Sequence, residues 1–539
     1  MLVRIHASPD QEALGHALDI PLSATPGQTL SQAIWLSGRI PPLPLCAGLG
    51  RCGRCRVRFL NAPPPPLPAE IRCLSANDLA EGWRLACRQR VPEGMTEVSL
   101  ELPTASLARS EDRTFFRGTT TRSDLPELAL AVDLGTTSLC WRALDAQNGA
   151  TLADGQALNP QAGAGADVMS RLAVAQAPGQ RRRLAHLTRH LLRGILTELK
   201  SRRIGRVTRI CLAANTAMTD IFCNRDVRGL CAAPYQLSHS GNEMIDLPGL
   251  PPVYLPPLPA PFVGGDTSAG LASLLAKDTP RPILLADLGT NGELALLTHQ
   301  KQLWLTSVPL GPALEGIGPE CGQLVGPGVV TAFHLCPTGL KAVFHASTMQ
   351  EKLQKSTARG ISATGYLSLL AVLLRTGILD RNGHFTRTAT MPLTRRLTND
   401  IQPGYDHMGT RLRLPHGLWL SAADIEDLLK VKAAFVVALQ TLFAQAKCNI
   451  ADVACFCLAG ALGTSADVAD LLTLGMIPPT LKRVLRVVGN VALDGAELLA
   501  LHEDMRPPLA QLCAQAHVLC LADDPHFHNN YLRQMRFGD

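Results

Sequence analysis

The sequence predicts an α/β chain of several domains: a small strand-rich domain at the N-terminus, then a two-lobed domain built on an internal repeat. Three observations predict it. Four cysteines, Cys46, Cys52, Cys55 and Cys87, follow the spacing C-x5-C-x2-C-x31-C, and three of them stand in the glycine-punctuated stretch CAGLGRCGRC. Apolar strand–turn–strand units recur around two D-L-G-T turns, at Asp133 and Asp287. A chain of 539 residues, 46% hydrophobic and 18% charged, has the length and composition for more than one buried core.

Within residues 1–103, residues 2–6 (LVRIH) and 18–23 (LDIPLS) read as paired strands, and Thr29 to Ser37 as a short helix. Arg56 to Phe59 alternates like a strand, and Glu97 to Leu102 reads as the closing one. This order resembles a β-grasp ferredoxin. The cysteine spacing suits a [2Fe–2S] cluster: a tight loop presents Cys46, Cys52 and Cys55 to one side, and Cys87 closes the site from a distant strand. Gly48, Gly50 and Gly53 let the loop turn sharply, so that backbone N–H groups can face the cluster sulfurs. A structural zinc site is the alternative, but zinc ribbons carry two short CxxC knuckles and Cys87 stands alone. Cys73 falls outside the spacing and reads as a bystander, and Pro63 to Pro66 reads as a stiff loop.

The net charge of +6 is small for this length and leaves no nucleic-acid footprint. No run of about 18 apolar residues reads as membrane-spanning, and MLVRIHASPDQEALG lacks a signal-peptide core. The expected home of the sixteen cysteines is therefore the reducing cytoplasm, with Cys140, Cys211, Cys455 and Cys457 as small buried hydrophobes.

Residues 104–126 are polar and aperiodic and read as a linker to lobe I (127–278) and lobe II (279–539). ALAVDLGTTSLCWRAL near Ala129 and ILLADLGTNGELALL from Ile283 are each an apolar strand, a D-L-G-T turn and a second apolar strand. One such turn is weak evidence, but two in equivalent settings imply two similar lobes. Turn N–H groups at Gly135, Gly289, Asn291 and Gly292, with the hydroxyls of Thr136, Thr137 and Thr290, can hold phosphates. Asp133 and Asp287 are the catalytic candidates, placed to hold Mg²⁺ through water. A third segment from Cys455, CFCLAGALGTSADVADLL, reads as a buried strand, a glycine turn and a helix, where Gly460 and Gly463 permit the close approach of an adenine or ribose.

Over about Glu127 to Leu501 this layout resembles the actin, hexokinase and heat-shock-chaperone superfamily of ATPases. The resemblance implies ATP and Mg²⁺ as ligands, phosphate-binding turns at Asp133–Thr137 and Asp287–Gly292, and an adenosine segment at Leu458–Gly463. It also makes Asp287 the group that positions the attacking water or a second metal contact, with Glu293 near enough to consider as a base.

Nearly the whole chain resembles the reductive activators of corrinoid proteins, which join a ferredoxin domain to this ATPase. The shared blocks, in order, are CAGLGRCGRC with RLACR (Arg84 to Arg88), AANTAM (Ala213 to Met218), FVGGDTSAG (Phe262 to Gly270), ADLGTNGEL (Ala286 to Leu294), GPALEG (Gly311 to Gly316), LAGALG (Leu458 to Gly463) and GNVALDGAELLAL (Gly489 to Leu501). The resemblance implies one-electron reduction of a Co(II) corrinoid to Co(I), with a corrinoid protein and an upstream electron donor as partners and a possible homodimer. The chain departs from the family pattern at Ala214, Ala461 and Leu462, where glycine or phenylalanine is usual. The alternatives are an ATP-gated donor to another low-potential enzyme, a small-molecule kinase with a redox domain, and a nucleotide-bound scaffold. Three further features read as structural: His526 and His528 as a surface loop, the helix around Asp424 to Gln445 as lobe packing, and Ser362 to Gly365 as a helix cap or a cleft lining.

Overall fold

In the computed structural model, residues 2–6, 19–24, 27–43, 45–46, 48–50, 52–91, 96–103, 113–116, 125–310, 318–345, 358–387, 392–404 and 408–538 are described. The chain divides into two units, Met1–Asp266 with Gly495–Arg506, and Thr267–Asp494 with Pro507–Asp539.

The first unit opens with strands β1 (Leu2–His6), β2 (Asp19–Ser23), β3 (Arg56–Phe59), β4 (Trp83–Leu85) and β5 (Glu97–Glu101), in the order β2-β1-β5-β3-β4. β1 runs antiparallel to β2 and parallel to β5, the mixed pairing expected of a β-grasp sheet. Alternation decides its faces: Val3, Ile5, Val57 and Leu100 are fully buried, and Leu30 and Ile34 of the helix Leu30–Trp35 join them. Thr29 starts that helix in a capping box with Gln32.

A buried carboxylate, which the sequence pattern did not single out, ties this domain together. Glu70, on the helix Pro68–Cys73, is fully buried and accepts the N–H groups of Leu67 and Leu85 at 2.7 and 2.8 Å and the amide of Gln89 at 2.9 Å. Glu70→Ala leaves two buried donors, the Leu85 N–H and the Gln89 amide, without an acceptor, at about 1–3 kcal/mol each when wholly unpaired. A drop in thermal midpoint confined to the N-terminal domain, with nucleotide binding unchanged, is the expected result in differential scanning calorimetry.

The larger sheet of this unit contains β6 (Arg113–Phe116), β7 (Glu127–Leu134), β8 (Ser138–Asp145), β9 (Thr151–Leu158), β10 (Arg206–Ala214), β11 (Glu243–Ile245) and β12 (Val253–Leu255), in the order β11-β12-β10-β7-β8-β9-β6. β6 lies inside the stretch expected as a linker, paired antiparallel with β9. Four residues, RTFF, are too few to show a period, and edge pairing supplies the order that so short a strand lacks by itself. The small domain reaches into the core of the larger sheet at one point: Leu36 is fully buried there, and Arg183 Nε donates to the Leu36 carbonyl at 2.6 Å.

The second unit holds β13 (Ile283–Leu288), β14 (Asn291–Leu297), β15 (Leu303–Pro309), β16 (Val329–Cys336), β17 (Gly339–Phe344), β18 (Gly360–Ile361), β19 (Ile401–Gln402), β20 (Arg411–Arg413), β21 (Trp419–Ser421), β22 (Cys455–Ala459), β23 (Leu485–Gly489) and β24 (His517–Val518). Its main sheet runs β23-β22-β13-β14-β15-β24, with two three-stranded sheets, β17-β16-β18 and β19-β20-β21. The helices Ala363–Arg375 and Ala422–Gln445 bury their apolar faces in its core.

The internal repeat is explicit in the pairing. In each unit an antiparallel three-strand meander, β7-β8-β9 or β13-β14-β15, carries two parallel strands outside its first strand, β10 and β12 or β22 and β23. Asp133 pairs with Ala213 and Asp287 with Ala459, so each aspartate stands at the end of its first strand beside a parallel neighbour. Ligands of open α/β sheets gather at the carboxyl ends of parallel strands. Among the described residues no helix is long and apolar enough to cross a membrane.

Candidate cluster and nucleotide sites

The four spaced cysteines stand as two thiol pairs. Cys52 is hydrogen-bonded with Cys46, and Cys55 with Cys87. The bond to its partner, then burial, pushes the Cys52 thiol up; the same two causes push up Cys55, while accepting from Cys55 holds Cys87 below the usual thiol range. Gly48, Gly50 and Gly53 have φ of +85°, +69° and +63°, which lets the loop fold tightly. Arg88 Nη1 donates to the Gly48 carbonyl and Cys73 Sγ to the Gly50 carbonyl, each at 3.0 Å, while Ala86 N–H donates to the Cys55 carbonyl at 2.8 Å. Cys73 is therefore outside the pairs, yet it braces the loop. The donor set fits a two-iron cluster, in which two cysteines serve each iron. Among the described residues, no group of three or more His, Cys, Asp or Glu is arranged around a single ion.

In the first unit, the turn after β7 is held by two asparagines that sequence reasoning had given no role. Asn159 Nδ2 donates to the Gly135 carbonyl and Asn159 N–H to the Thr137 carbonyl, both at 2.8 Å. Asn215 caps the helix Thr216–Cys223, accepting the Met218 N–H at 2.9 Å, and its Nδ2 donates to Thr136 Oγ1 at 3.3 Å. Asn215 lies in AANTAM, and FVGGDTSAG meets it: a Cβ at Gly264 would come 2.4 Å from Asn215 Cα. Two of the quoted blocks thus meet at Asn215, which holds Thr136, while Ala213 of the same block pairs with Asp133. The signal for Asn215 was its place just before a helix; Asn159 had only N-P.

In the second unit, Asp287 pairs across the hairpin with Glu293, which like Thr290 is buried, at 7% exposure. Gly289 N–H donates to the Asn291 carbonyl at 2.9 Å, closing the turn, and Gly292 packs on Leu310. The segment after β22 meets this turn directly. Gly460 has φ +81°, and a Cβ there would fall 2.3 Å from Asp287 Oδ1 and 2.5 Å from the Leu288 carbonyl oxygen. Gly463, three residues on, instead packs on Leu458. Of the unusual residues, Ala214 and Leu462 are core residues of their units, while Ala461 is exposed.

The remaining expectations resolve structurally. Ser362 Oγ accepts the Gly365 N–H at 3.1 Å, a helix cap. His526 and His528 are exposed around the start of the helix Phe527–Gln534. Cys211, Cys455 and Cys457 are buried, and Cys140 is half-buried. The block GPALEG lies outside the described residues.

Two family models match the chain: the RACo middle region over residues 128–277, and the C-terminal domain of RACo, the ASKHA domain, over residues 281–539. Among curated proteins, the corrinoid activation enzyme RamQ of Eubacterium limosum is 27% identical over 77% of this chain and 71% of its own length. The [Co(II) methylated amine-specific corrinoid protein] reductase of Methanosarcina barkeri is 24% identical over 62% of this chain and 63% of its own. A solved structure titled reductive activator for corrinoid, iron-sulfur protein shares the fold with a TM-score of 0.64, at 21% identity over 99% of this chain and 98% of that one.

Proposed function

The chain belongs to the RACo family, and from that premise we propose that it is an ATP-dependent reductive activator, an enzyme that returns the Co(II) corrinoid of a corrinoid protein to Co(I). The observation that carries this reading is that one chain joins two cysteine pairs to two D-L-G-T turns in repeated sheets. The names borne by RamQ and the Methanosarcina reductase support the same activity.

Cys46 with Cys52, and Cys55 with Cys87, would hold the irons of a [2Fe–2S] cluster. Bound there, the cluster supplies one electron, at about −400 mV for plant-type clusters. The Co(II)/Co(I) couple lies lower, and each 100 mV of uphill gap costs about 2.3 kcal/mol. Nucleotide binding contributes only through differential affinity for two states of the activator and its partner. Asp133 and Asp287, each at its own turn, would hold Mg²⁺ or water, and hydrolysis would pass the γ-phosphoryl group to water, leaving ADP and phosphate. Asn159 and Asn215 keep the first turn in place, and Gly460 leaves room for the Asp287 carboxylate. An upstream donor then restores the electron passed to cobalt.

Phosphate release tests the reading. ATP hydrolysis by the chain rises several-fold when a Co(II) corrinoid protein is added and is unmoved by sugars or other small alcohols. Stimulation by a small alcohol, with a phosphorylated product, would make the chain a kinase instead.

A further inference from the structure

One segment of the first unit touches both sites: residues 159–166, NPQAGAGA. At its start, the fully buried Asn159 holds the Gly135 and Thr137 carbonyls of the phosphate turn, each at 2.8 Å. Asn159 Oδ1 then accepts the Gln161 N–H at 2.9 Å and opens the 3₁₀ turn Pro160–Ala164. In the middle, Gly163 lies against Trp35, where a Cβ would fall 2.7 Å from Trp35 Cβ and 3.0 Å from its carbonyl oxygen. At its end, Ala166 N–H donates to the Leu45 carbonyl at 2.9 Å, and Leu45 directly precedes Cys46.

The segment has little room to absorb a displacement. Gln161 Nε2 donates to the Leu184 carbonyl at 3.2 Å, and the fully buried Arg171 donates through Nε to the Gly165 carbonyl at 2.9 Å. Close-packed interiors pass strain on because they hold no compressible voids.

We propose that residues 159–166 are a strut between the phosphate turn and the cysteine loop, with Asn159 as the positioning residue at the nucleotide end. Through it, nucleotide occupancy and the oxidation state of the bound cluster bias each other. The inference rests on the functional reading above and deepens it. Coupling of this kind is reciprocal: if reduction changes nucleotide affinity by some factor, nucleotide changes the affinity of the cluster for its electron by the same factor.

The test uses the full chain with its cluster reconstituted. Binding of adenylyl imidodiphosphate with Mg²⁺ is measured by calorimetry in the oxidised and the dithionite-reduced protein, and the midpoint potential is titrated by electron paramagnetic resonance with and without the analogue. The two Kd values differ by about fivefold or more, and the potential shifts in step, by about 59 mV for each tenfold ratio. Ala166→Pro removes the N–H donated to Leu45, and Gly165, with ψ of 151°, suits a following proline. Gly163→Ala forces the segment off Trp35. In each variant the ratio falls toward one, while the oxidised protein keeps its affinity within about threefold, well below a 1.4 kcal/mol, tenfold change. Equal Kd values in the unmodified chain, or a ratio that survives both variants, would overturn the inference alone. Absence of nucleotide binding in both redox states overturns the functional reading with it. The unmodified chain decides the matter even where a variant does not fold.

Discussion

Gly460→Ala should cut nucleotide turnover about a hundredfold while leaving the cysteine loop intact. Gly460 sits at φ +81°, and the methyl it would gain falls 2.3 Å from Asp287 Oδ1 and 2.5 Å from the Leu288 carbonyl oxygen. The left-handed backbone alone costs roughly 1–2 kcal/mol for a residue with a Cβ. The steric term is larger, because both opposing atoms belong to the turn at the end of β13. Relief requires the carboxylate to swing away, and a misplacement of about 1 Å in a catalytic group costs on the order of a hundredfold in rate. Phosphate release should therefore fall about a hundredfold, with the iron content and resonance spectrum unchanged. A variant with turnover within a few-fold of the unmodified chain would mean that Asp287 does no chemistry.

Cys87→Ala has the opposite profile. It leaves Cys55, at 1% exposure, without its thiol partner and removes the one ligand contributed from outside the loop. One iron of a two-iron centre then loses half of its protein ligands, so reconstituted protein should show background iron and no resonance signal. Nucleotide binding should persist, since Asp133 and Asp287 stand on strands of other sheets. Cys73→Ala is the control: it removes a hydrogen bond to the Gly50 carbonyl and leaves all four paired cysteines in place, so the iron should be retained. Loss of iron in both variants, or in neither, would refute the pairing.

What could be read from the sequence was mainly local. β1 and β3 alternate along their own length, and both D-L-G-T hairpins combine apolar runs with turn residues, so each declares itself within a few positions. The cysteine spacing is similarly local except for Cys87, whose place depends on β4. The contacts that were not legible join residues far apart in the chain. Asn159 holds Gly135, Glu70 holds Leu85, and Leu36 enters the core of another sheet, none with a periodic signature. Gly460 is the intermediate case. Its glycine character was visible and suggested room for an adenosine, whereas in the structure the close neighbour is the Asp287 carboxylate.

The most direct test of the account is the optical band of Co(I) in a cognate corrinoid protein loaded with Co(II). The reduced, cluster-bearing chain is added to it with and without Mg-ATP. Co(I) should form with the nucleotide present, and little or none without it. Equal Co(I) formation in both samples, or none in either with a corrinoid protein shown to be reducible by a chemical donor, would contradict the claim that this chain delivers an ATP-dependent electron to cobalt.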